Sequence, residues 1–317
     1  MFICVSPNPA IDKRLHLASF VPGQVNRART SQGFAGGKAT HVAMVLRTLG
    51  ESPQWIGPCG GATGGELLAG LAALGIKAHP CCTRAPTRTN LEIIEDQGRV
   101  TEILEPGAAL GSGELAEFEN ACRSIFFEHG KSASTIFSGS LPPGVAPDLY
   151  HRLIASAKRA GCRTFVDTGG DALRLALAGG PDFVKPNREE AGILLGKLIG
   201  SIPEAARTVR ELLVLGARSA AISLGADGLL FCPGKDAPIF FAAAPVVEAC
   251  STVGCGDSAL AGFAQAVAMR ESPENALRLA AACAAANCVA KSPGAAELAD
   301  VEKFRSTVQV QTIKLGS

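Results

Sequence analysis

The chain has 317 residues, of which 47% are hydrophobic and 19% are charged, and its formal net charge at pH 7 is only +1. A near-neutral chain lacks the basic surface that nucleic acids and anionic membranes require, so the sequence predicts small-molecule partners, with no nucleic acid and no membrane. Residues 1–7 lack the charged start and long apolar middle of a signal peptide, and the apolar runs elsewhere are short. We therefore expect a cytoplasmic protein.

The eleven cysteines predict free thiols rather than a disulfide framework or a metal site. No Cys-x-x-Cys pair occurs, and most of the cysteines lie inside apolar segments. The pairs Cys250/Cys255 and Cys283/Cys288 each have four intervening residues, which is not a zinc-knuckle spacing, and no histidine is near them. Most of the cysteines are therefore expected to act as small hydrophobic residues.

Short β-like runs alternate with helical patterns along the chain. The predicted strands cover residues 2–5, 135–137, 164–166, 183–184 and 220–223. The predicted helices cover residues 39–49, 66–74, 114–127, 147–160, 189–195, 205–215, 257–269 and 274–290. This alternation is typical of βαβ units around a parallel sheet, and it predicts an α/β fold over residues 1–317.

Two stretches, about residues 11–33 and 87–105, break the alternation because they read as strands and turns without helices. The second contains a β-like run over 89–95, the turn Asp96-Gln97-Gly98 and another β-like run over 100–104. These two insertions predict a small β-sheet lid.

Polar residues follow the predicted strands. They are Asn8 and Asp12, the segment 138–144, Asp167, the segment 185–190 and the segment 223–228. Ligands of open α/β sheets bind beyond the carboxyl ends of the strands, so these residues are expected to line one cleft. Each segment alone is weak evidence, because turns are rich in such residues.

A glycine-rich segment, Ser251-Thr252-Val253-Gly254-Cys255-Gly256-Asp257-Ser258, stands before an alanine-rich helical pattern. Glycines allow a tight turn that aims N–H groups outward, and the following helix adds the positive end of its dipole. Asp257 is poorly suited to binding an anion there, but it is well placed to take a proton from a hydroxyl that attacks one. The alternative is an ordinary helix start with Asp in its first turn.

Taken in order, five segments resemble the PfkB, or ribokinase-like, family of carbohydrate kinases. They are Gly36-Gly37-Lys38, Ser138-Gly139-Ser140-Leu141-Pro142-Pro143-Gly144, Lys185-Pro186-Asn187 with Glu190, Ser223-Leu224-Gly225 with Gly228, and Thr252-Val253-Gly254-Cys255-Gly256-Asp257. The segments Asn8-Pro9-Ala10-Ile11-Asp12, Thr87-Arg88-Thr89-Asn90 and Pro106-Gly107 resemble its phosphosugar branch. The resemblance spans nearly the whole chain. It implies a ribokinase-like, doubly wound and mostly parallel sheet flanked by helices, with ATP and Mg²⁺ as cofactors.

The resemblance also implies residue roles. Asp257 is the expected general base, and the amides of Gly254, Cys255 and Gly256 are expected to stabilise the transferred phosphoryl group. The nucleotide-side positions are Lys185, Asn187, Ser223, Gly225, Gly228 and Asn287, and the expected Mg²⁺ residues are Glu190 and Asn187. Structural alternatives stay open for several of these residues: helix capping by Asn187, a hairpin turn at Gly225 and Gly228, and a surface amide at Asn287.

For the sugar, the resemblance implies Asp12, which can accept hydrogen bonds from a diol, together with backbone at Gly36 and Gly37. The other candidate substrate residues are Lys38, His41, Arg27, Arg88, Asn90 and Ser138. The three cations among them suit a substrate phosphate better than a neutral sugar, although any one of them alone reads as a surface charge.

Three positions depart from the family pattern. His41 stands where an asparagine that touches the sugar is expected, and it is either a reshaped sugar contact or a histidine on the helix surface. Glu102 stands where the minor 6-phosphofructokinase type carries a phosphate-binding arginine, and in this respect the chain looks more like tagatose-6-phosphate kinase. Cys255 replaces an alanine and adds an oxidisable sulfur.

Competing motifs fail on particular residues. A phosphate-binding Walker A loop would need Gly at Gln32 and Ser or Thr at Ala39. The dinucleotide-type spacing from Gly254 follows a polar segment instead of a buried first strand, which argues against an NAD-dependent enzyme.

The predicted function is phosphorylation of fructose 6-phosphate, fructose 1-phosphate or tagatose 6-phosphate by ATP. A homodimer joined through the lids is expected, since the lid presents open strand edges. The alternatives are a kinase of an unphosphorylated sugar or nucleoside, and a noncatalytic sugar-phosphate sensor. Retention of both Asp257 and Glu190 argues against the sensor.

Overall fold

The computed structural model describes residues 1–314, in which two β-sheets and ten helices form an α/β fold. The strands are β1 Phe2–Val5, β2 Ala10–Leu17, β3 Thr30–Gly36, β4 Gln54–Cys59, β5 Lys77–Cys82, β6 Arg88–Glu95, β7 Val100–Leu104, β8 Ser134–Ser138, β9 Arg163–Asp167, β10 Phe183–Val184, β11 Ser219–Ser223, β12 Leu229–Cys232, β13 Ile239–Ala242 and β14 Val310–Ile313. The helices are α1 Lys38–Thr48, α2 Gly61–Ala73, α3 Ser112–His129, α4 Leu149–Ala160, α5 Gly170–Ala178, α6 Arg188–Leu195, α7 Ile202–Val214, α8 Cys255–Ala268, α9 Pro273–Val289 and α10 Leu298–Thr307.

The large sheet has ten strands in the order β14-β13-β12-β11-β10-β9-β8-β1-β4-β5. From β11 to β5 every neighbouring pair is parallel, and β12, β13 and β14 extend the other edge in antiparallel fashion. The chain runs outward from β1 through β4 to β5, then returns to β8 and runs the opposite way through β9, β10 and β11. The strand order therefore reverses between β1 and β8, and such a point is where open α/β sheets bind their ligands.

Side chains that alternate along each strand of the large sheet pack into two hydrophobic cores, one on each face. In β1, Phe2 and Cys4 pack into the core formed with α1, α2, α8, α9 and α10, while Ile3 and Val5 pack into the core formed with α3 to α7. All four of these side chains are buried, as expected for a strand covered on both faces. The α/β fold predicted from the alternating pattern is confirmed, and so is the doubly wound, mostly parallel sheet flanked by helices that the family resemblance implied.

The small sheet is the lid, with strand order β3-β2-β6-β7. Strand β2 pairs antiparallel with β3 and parallel with β6, and β6 pairs antiparallel with β7. The strands lie at residues 10–17 and 30–36 and at residues 88–95 and 100–104, which are the two stretches that the sequence separated from the alternation.

Helices α8 and α9 lie unusually close together. A Cβ atom at Gly262 would be 2.8 Å from the Cα of Ala280, a distance that no side chain tolerates. The alanine-rich sequences of both helices permit this approach, which brings the start of α8 beside the end of α9. Within residues 1–314, no helix is both long enough and apolar enough to cross a membrane.

Several elements have no counterpart in the sequence prediction, namely β4, β5, α5, β12, β13, α10 and β14. Strand β4 contains Gly57 and Pro58, and α5 begins at Gly170, so local composition conceals both elements. Helix α6 begins at Arg188 because Asn187 caps it. It ends at Leu195, because the next residue, Gly196, adopts the left-handed conformation.

Candidate active site

One cleft of about 1660 Å³ runs from the lid to the far side of the large sheet. The residues that line its lid end include Asp12, Asn90 and Glu102. Its opposite end is lined by Ser223, Gly225 and Gly228, with apolar walls from residues 244–247 and from the alanines of α9. The strand ends at the β1/β8 reversal lie between the two ends, and residues 139–145 after β8 line the cleft. The cleft thus has room for two ligands placed end to end.

Asp257 lies in the first turn of α8, is 5% exposed and lines the cleft. The helix begins after Gly254, whose φ of 79° is in the left-handed region that glycine adopts readily. The N–H of Gly256 lies in the first helical turn, where N–H groups have no acceptor within the helix. The N–H of Cys255 donates to the carbonyl of Thr252 at 3.3 Å. The turn at residues 254–256, which the sequence predicts to bind an anion and which is called the anion-binding turn, therefore lies beside Asp257 with the dipole of α8 behind it.

His41 joins two carboxylates across the cleft. Its Nδ1 lies 2.9 Å from Oδ2 of Asp257, and its Nε2 lies 2.8 Å from Oδ2 of Asp12. Burial alone would lower the pKa of His41, but its contacts with Asp12 and Asp257 raise that pKa to about 10. His41 is therefore not the surface histidine that the sequence left open as an alternative, because it is 4% exposed and carries a positive charge at neutral pH.

Asp12 is held on several sides. Asn90 donates from Nδ2 to Oδ1 of Asp12 at 2.8 Å, and the N–H of Gly37 donates to Oδ2 at 3.3 Å. Burial would raise the pKa of Asp12, but His41, Asn90 and Gly37 hold it below its usual range. Gly36 makes room for this carboxylate, since a Cβ at that position would lie 2.3 Å from it. Asp12 is thus an oriented carboxylate at the lid end of the cleft.

Asp167, at the end of β9, holds two lysines with one carboxylate. Lys185 Nζ lies 2.8 Å from its Oδ2, and Lys38 Nζ lies 3.3 Å from its Oδ1. Burial would raise the pKa of Asp167, but Lys185 and Lys38 keep it below its usual range. A Cβ on Gly256 would lie 3.3 Å from Lys185 Nζ, which places this ammonium beside the anion-binding turn. The turn therefore faces a fixed positive charge.

Lys38 also lies 3.2 Å from Oε1 of Glu190, so it connects Asp167 with the start of α6. The side chain of Asn187 accepts the N–H of Glu190, and Oε2 of Glu190 accepts the N–H of Asn187, both at 2.8 Å. The helix-capping alternative for Asn187 is thus realised. No cluster of three or more His, Cys, Asp and Glu side chains within residues 1–314 forms a metal cage. A hard cation here fits Glu190 through water and ligand oxygens rather than a set of protein ligands.

Arg88 is the cation that the lid contributes to the lining of the cleft. It donates to the carbonyls of Glu105 and Asn8, and its buried Nε has no hydrogen-bond partner among the described residues. Burial lowers the pKa of Arg88, while Asp12 and Glu105 act in the opposite sense. Glu102, on the neighbouring strand, also lines the cleft, and burial together with Glu92 and Asp12 raises its pKa.

Cys255 and Cys288 face each other at the junction of α8 and α9. Their sulfur atoms are 3.1 Å apart, and both residues line the cleft. Hydrogen bonding between the two thiols lowers the pKa of Cys288 and raises that of Cys255. In the sequence, Cys255 was considered with Cys250, and Cys288 with Cys283, only as metal-ligand pairs whose spacing does not fit. The contact between Cys255 and Cys288 follows from the close packing of α8 and α9.

A buried polar chain ties the lid to the anion-binding turn. Arg14 Nε in β2 donates to Glu92 Oε2 in β6 at 2.7 Å, and both side chains are buried. The hydroxyl of Ser251 donates to the other oxygen of Glu92, and it accepts the N–H of Val253 at 3.1 Å. Arg14 also donates to the carbonyl of Lys291. The lid is thereby hydrogen-bonded to the segment before Gly254, through Ser251, and to the segment after α9, through Lys291.

Four predicted residues lie outside the lining of the cleft. Arg27 is exposed in the loop between β2 and β3, and Gly36 and Ser138 lie behind the lining residues. Asn287 is not the surface amide that was left open as an alternative: it donates to the carbonyl of Val253 at 2.7 Å and accepts the N–H of Gly294 at 2.7 Å. It supports the anion-binding turn from behind. Of the three cations predicted for a substrate phosphate, Lys38 is paired with carboxylates. Arg88 lines the cleft and has a buried Nε with no hydrogen-bond partner within residues 1–314.

The sequence also left important residues without a role. The position of Asp167 directly after a predicted strand could have marked it as a site residue. Nothing in the sequence pointed to a role for Arg14, Glu92 or Cys288.

A family model described as "pfkB family carbohydrate kinase" matches residues 8–300 of the chain. The chain belongs to this family. It is therefore a carbohydrate kinase, a phosphotransferase that acts on an alcohol group. The 1-phosphofructokinase of Rhodobacter capsulatus is 34% identical over 281 residues, which are 88% of this chain and 87% of that protein. The 1-phosphofructokinase of Borreliella burgdorferi is 30% identical and covers 99% of both chains.

Solved structures agree with this assignment. Phosphofructokinase-2 from Escherichia coli, in complex with fructose-6-phosphate, superposes with a TM-score of 0.87 at 28% identity over 97% of this chain and 98% of that chain. A ribokinase-type protein from Agrobacterium tumefaciens, with a TM-score of 0.76 at 18% identity over 96% and 97% of the two chains, shares the fold.

Proposed function

We propose that this carbohydrate kinase transfers the γ-phosphoryl group of ATP to a free hydroxyl of a ketohexose monophosphate, giving a ketohexose bisphosphate and ADP. The observation that carries the proposal is Asp257, a buried carboxylate beside the anion-binding turn and joined through His41 to the sugar-side residue Asp12. The hydroxyl oxygen attacks the γ-phosphorus, the bond from that phosphorus to the β–γ bridging oxygen breaks, and the hydroxyl proton passes to Asp257.

Fructose 1-phosphate is the first substrate to test among the three ketohexose phosphates. Two relatives that align with most of the chain are named 1-phosphofructokinase. Arg88 supports a phosphorylated substrate, because its buried Nε has no partner among the described residues and the side chain lines the lid end of the cleft. A guanidinium is well suited to hold a phosphate there.

ATP and Mg²⁺ fit the opposite end of the cleft. The apolar wall formed by Val246, Val247 and the alanines of α9 suits a base, and Gly225 and Gly228 allow close approach of the rest of the nucleotide. Mg²⁺ would be held by Glu190 through water and by the nucleotide phosphates, and it would neutralise charge on those phosphates. Lys185, fixed by Asp167 next to Gly256, would stabilise the transferred group from the protein side.

We further propose a homodimer joined through the lids. Strands β3 and β7 are the edges of the lid sheet, and the lid exposes apolar side chains at Val25 and Ile103. A second copy of the chain would cover both features. We place the enzyme in the cytoplasm, because its eleven cysteines are free and the reaction consumes ATP.

The test is ADP release from Mg·ATP with fructose 1-phosphate, fructose 6-phosphate and tagatose 6-phosphate, compared with fructose, ribose, adenosine and a blank without acceptor. Turnover with a phosphorylated ketohexose supports the proposal. Turnover only with an unphosphorylated acceptor would refute the substrate class while leaving the chemistry intact. Folded protein that turns over none of them but binds a sugar phosphate would indicate a sensor.

A further inference from the structure

His41 has two charged partners that the proposed reaction uses at different places. Asp257 takes the proton, and Asp12 accepts the sugar hydroxyls. The histidine lies in the first turn of α1, where its N–H donates to the carbonyl of Gly37 at 3.0 Å. On its other side is Gly294, where a Cβ would lie 3.1 Å from the Cα of His41. The backbone of His41 is therefore fixed between α1 and the 294 turn.

Both ring nitrogens contact a carboxylate, but in different ways. Nδ1 forms a hydrogen bond with Asp257, whereas the buried Nε2 lies 2.8 Å from Oδ2 of Asp12 as a charge contact and has no hydrogen-bond partner among the described residues. A neutral imidazole has one N–H, so it can donate to one carboxylate only and would turn a lone pair toward the other. Two carboxylates at 2.8 and 2.9 Å therefore favour the doubly protonated ring. Burial opposes this charge, but the two contacts outweigh it and raise the pKa of His41.

The consequence for Asp257 is orientation. Its Oδ2 faces His41, and within residues 1–314 its Oδ1 has no hydrogen-bond partner in the protein. The oxygen with no protein partner is thus the one available to an incoming hydroxyl. The same ring sets the separation between Asp257 and Asp12, and hence the distance between the hydroxyls that are recognised and the hydroxyl that reacts.

We propose that His41 is a positioning residue for phosphoryl transfer, in which one imidazolium aligns the base Asp257 through Nδ1 and the sugar-binding Asp12 through Nε2. This inference rests on the proposed function. The proton moves from the substrate hydroxyl to Asp257, and His41 keeps both of its own protons throughout. The other charged groups around this trio are Lys38 on the same helix, Arg88 and Glu92 on β6, and Glu102 on β7.

Two amide substitutions separate the two contacts. An asparagine amide nitrogen reaches about as far as Nδ1, and a glutamine amide nitrogen about as far as Nε2. His41→Asn is expected to keep the contact with Asp257 and lose that with Asp12, so its main effect is a higher KM for the sugar phosphate. His41→Gln is expected to keep Asp12 and lose Asp257, so its main effect is a lower kcat, by about 10- to 100-fold for a misplaced base. His79→Asn, on β5, controls for loss of a histidine elsewhere.

Equal effects of the two substitutions on kcat and on KM, or no change in either constant, would overturn the proposal, since a merely structural role does not distinguish the two nitrogens. Thermal unfolding of each variant checks that it is folded.

Nitrogen NMR of histidine-labelled protein provides a second measurement that needs no substitution of His41. One of the five histidines is expected to remain doubly protonated at pH 8, and its signals are expected to shift when Asp257 is replaced by Asn. Five neutral rings at pH 8 would overturn the proposal. If the wild-type protein turns over no acceptor, the proposed function fails, whereas the NMR result still reports separately on the ring and its two partners.

Discussion

Asp257 has one carboxylate oxygen directed at His41 and a backbone fixed by the first turn of α8. We expect Asp257→Asn to lower kcat by about 10² to 10⁴-fold, because an amide of the same shape cannot take the hydroxyl proton. Folding and ATP binding are expected to persist. Steady-state kinetics and nucleotide titration measure the two effects. Asp300→Asn, in the first turn of α10, is the matched control, and near-normal turnover of Asp257→Asn would exclude it as the base.

The charge on His41 also has a consequence for stability. Its pKa is raised to about 10 in the folded protein from an ordinary value of 6.5, so its ion pairs stabilise the fold fully below about pH 6.5. That stabilisation declines as the pH rises and is lost through about pH 10. The difference in the free energy of unfolding between wild type and His41→Asn is therefore expected to shrink from pH 7 to pH 10. Urea unfolding at several pH values measures it, and a constant difference would contradict this prediction.

At the scale of elements, the packing of α8 against α9 brings two thiols together at the anion-binding turn. A peroxide would oxidise the Cys288 thiol to a sulfenic acid, and the Cys255 thiol would then attack that sulfur, forming a disulfide and releasing water. We expect this bond to distort the turn, so that peroxide removes most of the kinase activity and dithiothreitol restores it.

Cys288→Ser is expected to resist this inactivation, when the activity of each variant is expressed relative to its own untreated value. Cys250→Ser removes an exposed thiol of the neighbouring segment and is expected to stay as sensitive as wild type. Mass spectrometry after alkylation locates the disulfide. If Cys288→Ser loses activity as fast as wild type, another group is the target.

The elements that the sequence predicted correctly have strong periodicity of their own. Helix α7 has a buried face repeated along Ala205, Val209 and Leu212, and β1 is an uninterrupted apolar run. Strand β4 has no such signal, because it contains Gly57, which weakens the strand pattern. Glycine is required there because a Cβ would lie 2.5 Å from the carbonyl oxygen of Ser6. Tertiary contact, rather than local preference, decides such segments.

The whole molecule exposes the apolar lid residues Val25 and Ile103 beside open strand edges. We expect light scattering to give the mass of a dimer at micromolar concentration, and Ile103→Lys to shift the protein toward monomer because a buried charge would oppose association. Val214→Lys, at an exposed apolar position on α7 away from the lid, is the control. A wild-type monomer across that concentration range would refute the lid dimer.

At this scale the sequence specified the family, the cleft and most of its lining, because motifs at strand ends converge once the sheet forms. It did not specify the partners of those residues. His41 and Asp257 are 216 positions apart, and whether they touch depends on how α1 packs against α8. Arg27, a cation of the lid loop, was assigned to a substrate phosphate from its charge and its place in the lid. The structure leaves it exposed and outside the cleft lining, and that assignment stays a prediction.

The hydrogen-bonded chain through Arg14, Glu92 and Ser251 couples the lid to the anion-binding turn, so we expect the two to unfold locally together. Moving β6 away would leave the buried guanidinium of Arg14 without its carboxylate partner. It would also release the hydroxyl of Ser251, which accepts the N–H of Val253. The amides of β6 and of Val253 should therefore exchange with deuterium at a common free energy, and Glu92→Gln should separate them. A protein that opens this way would lose its anion-binding turn whenever the lid lifts, so under the proposed function water entering the cleft would meet ATP at a site that is not built to transfer phosphate.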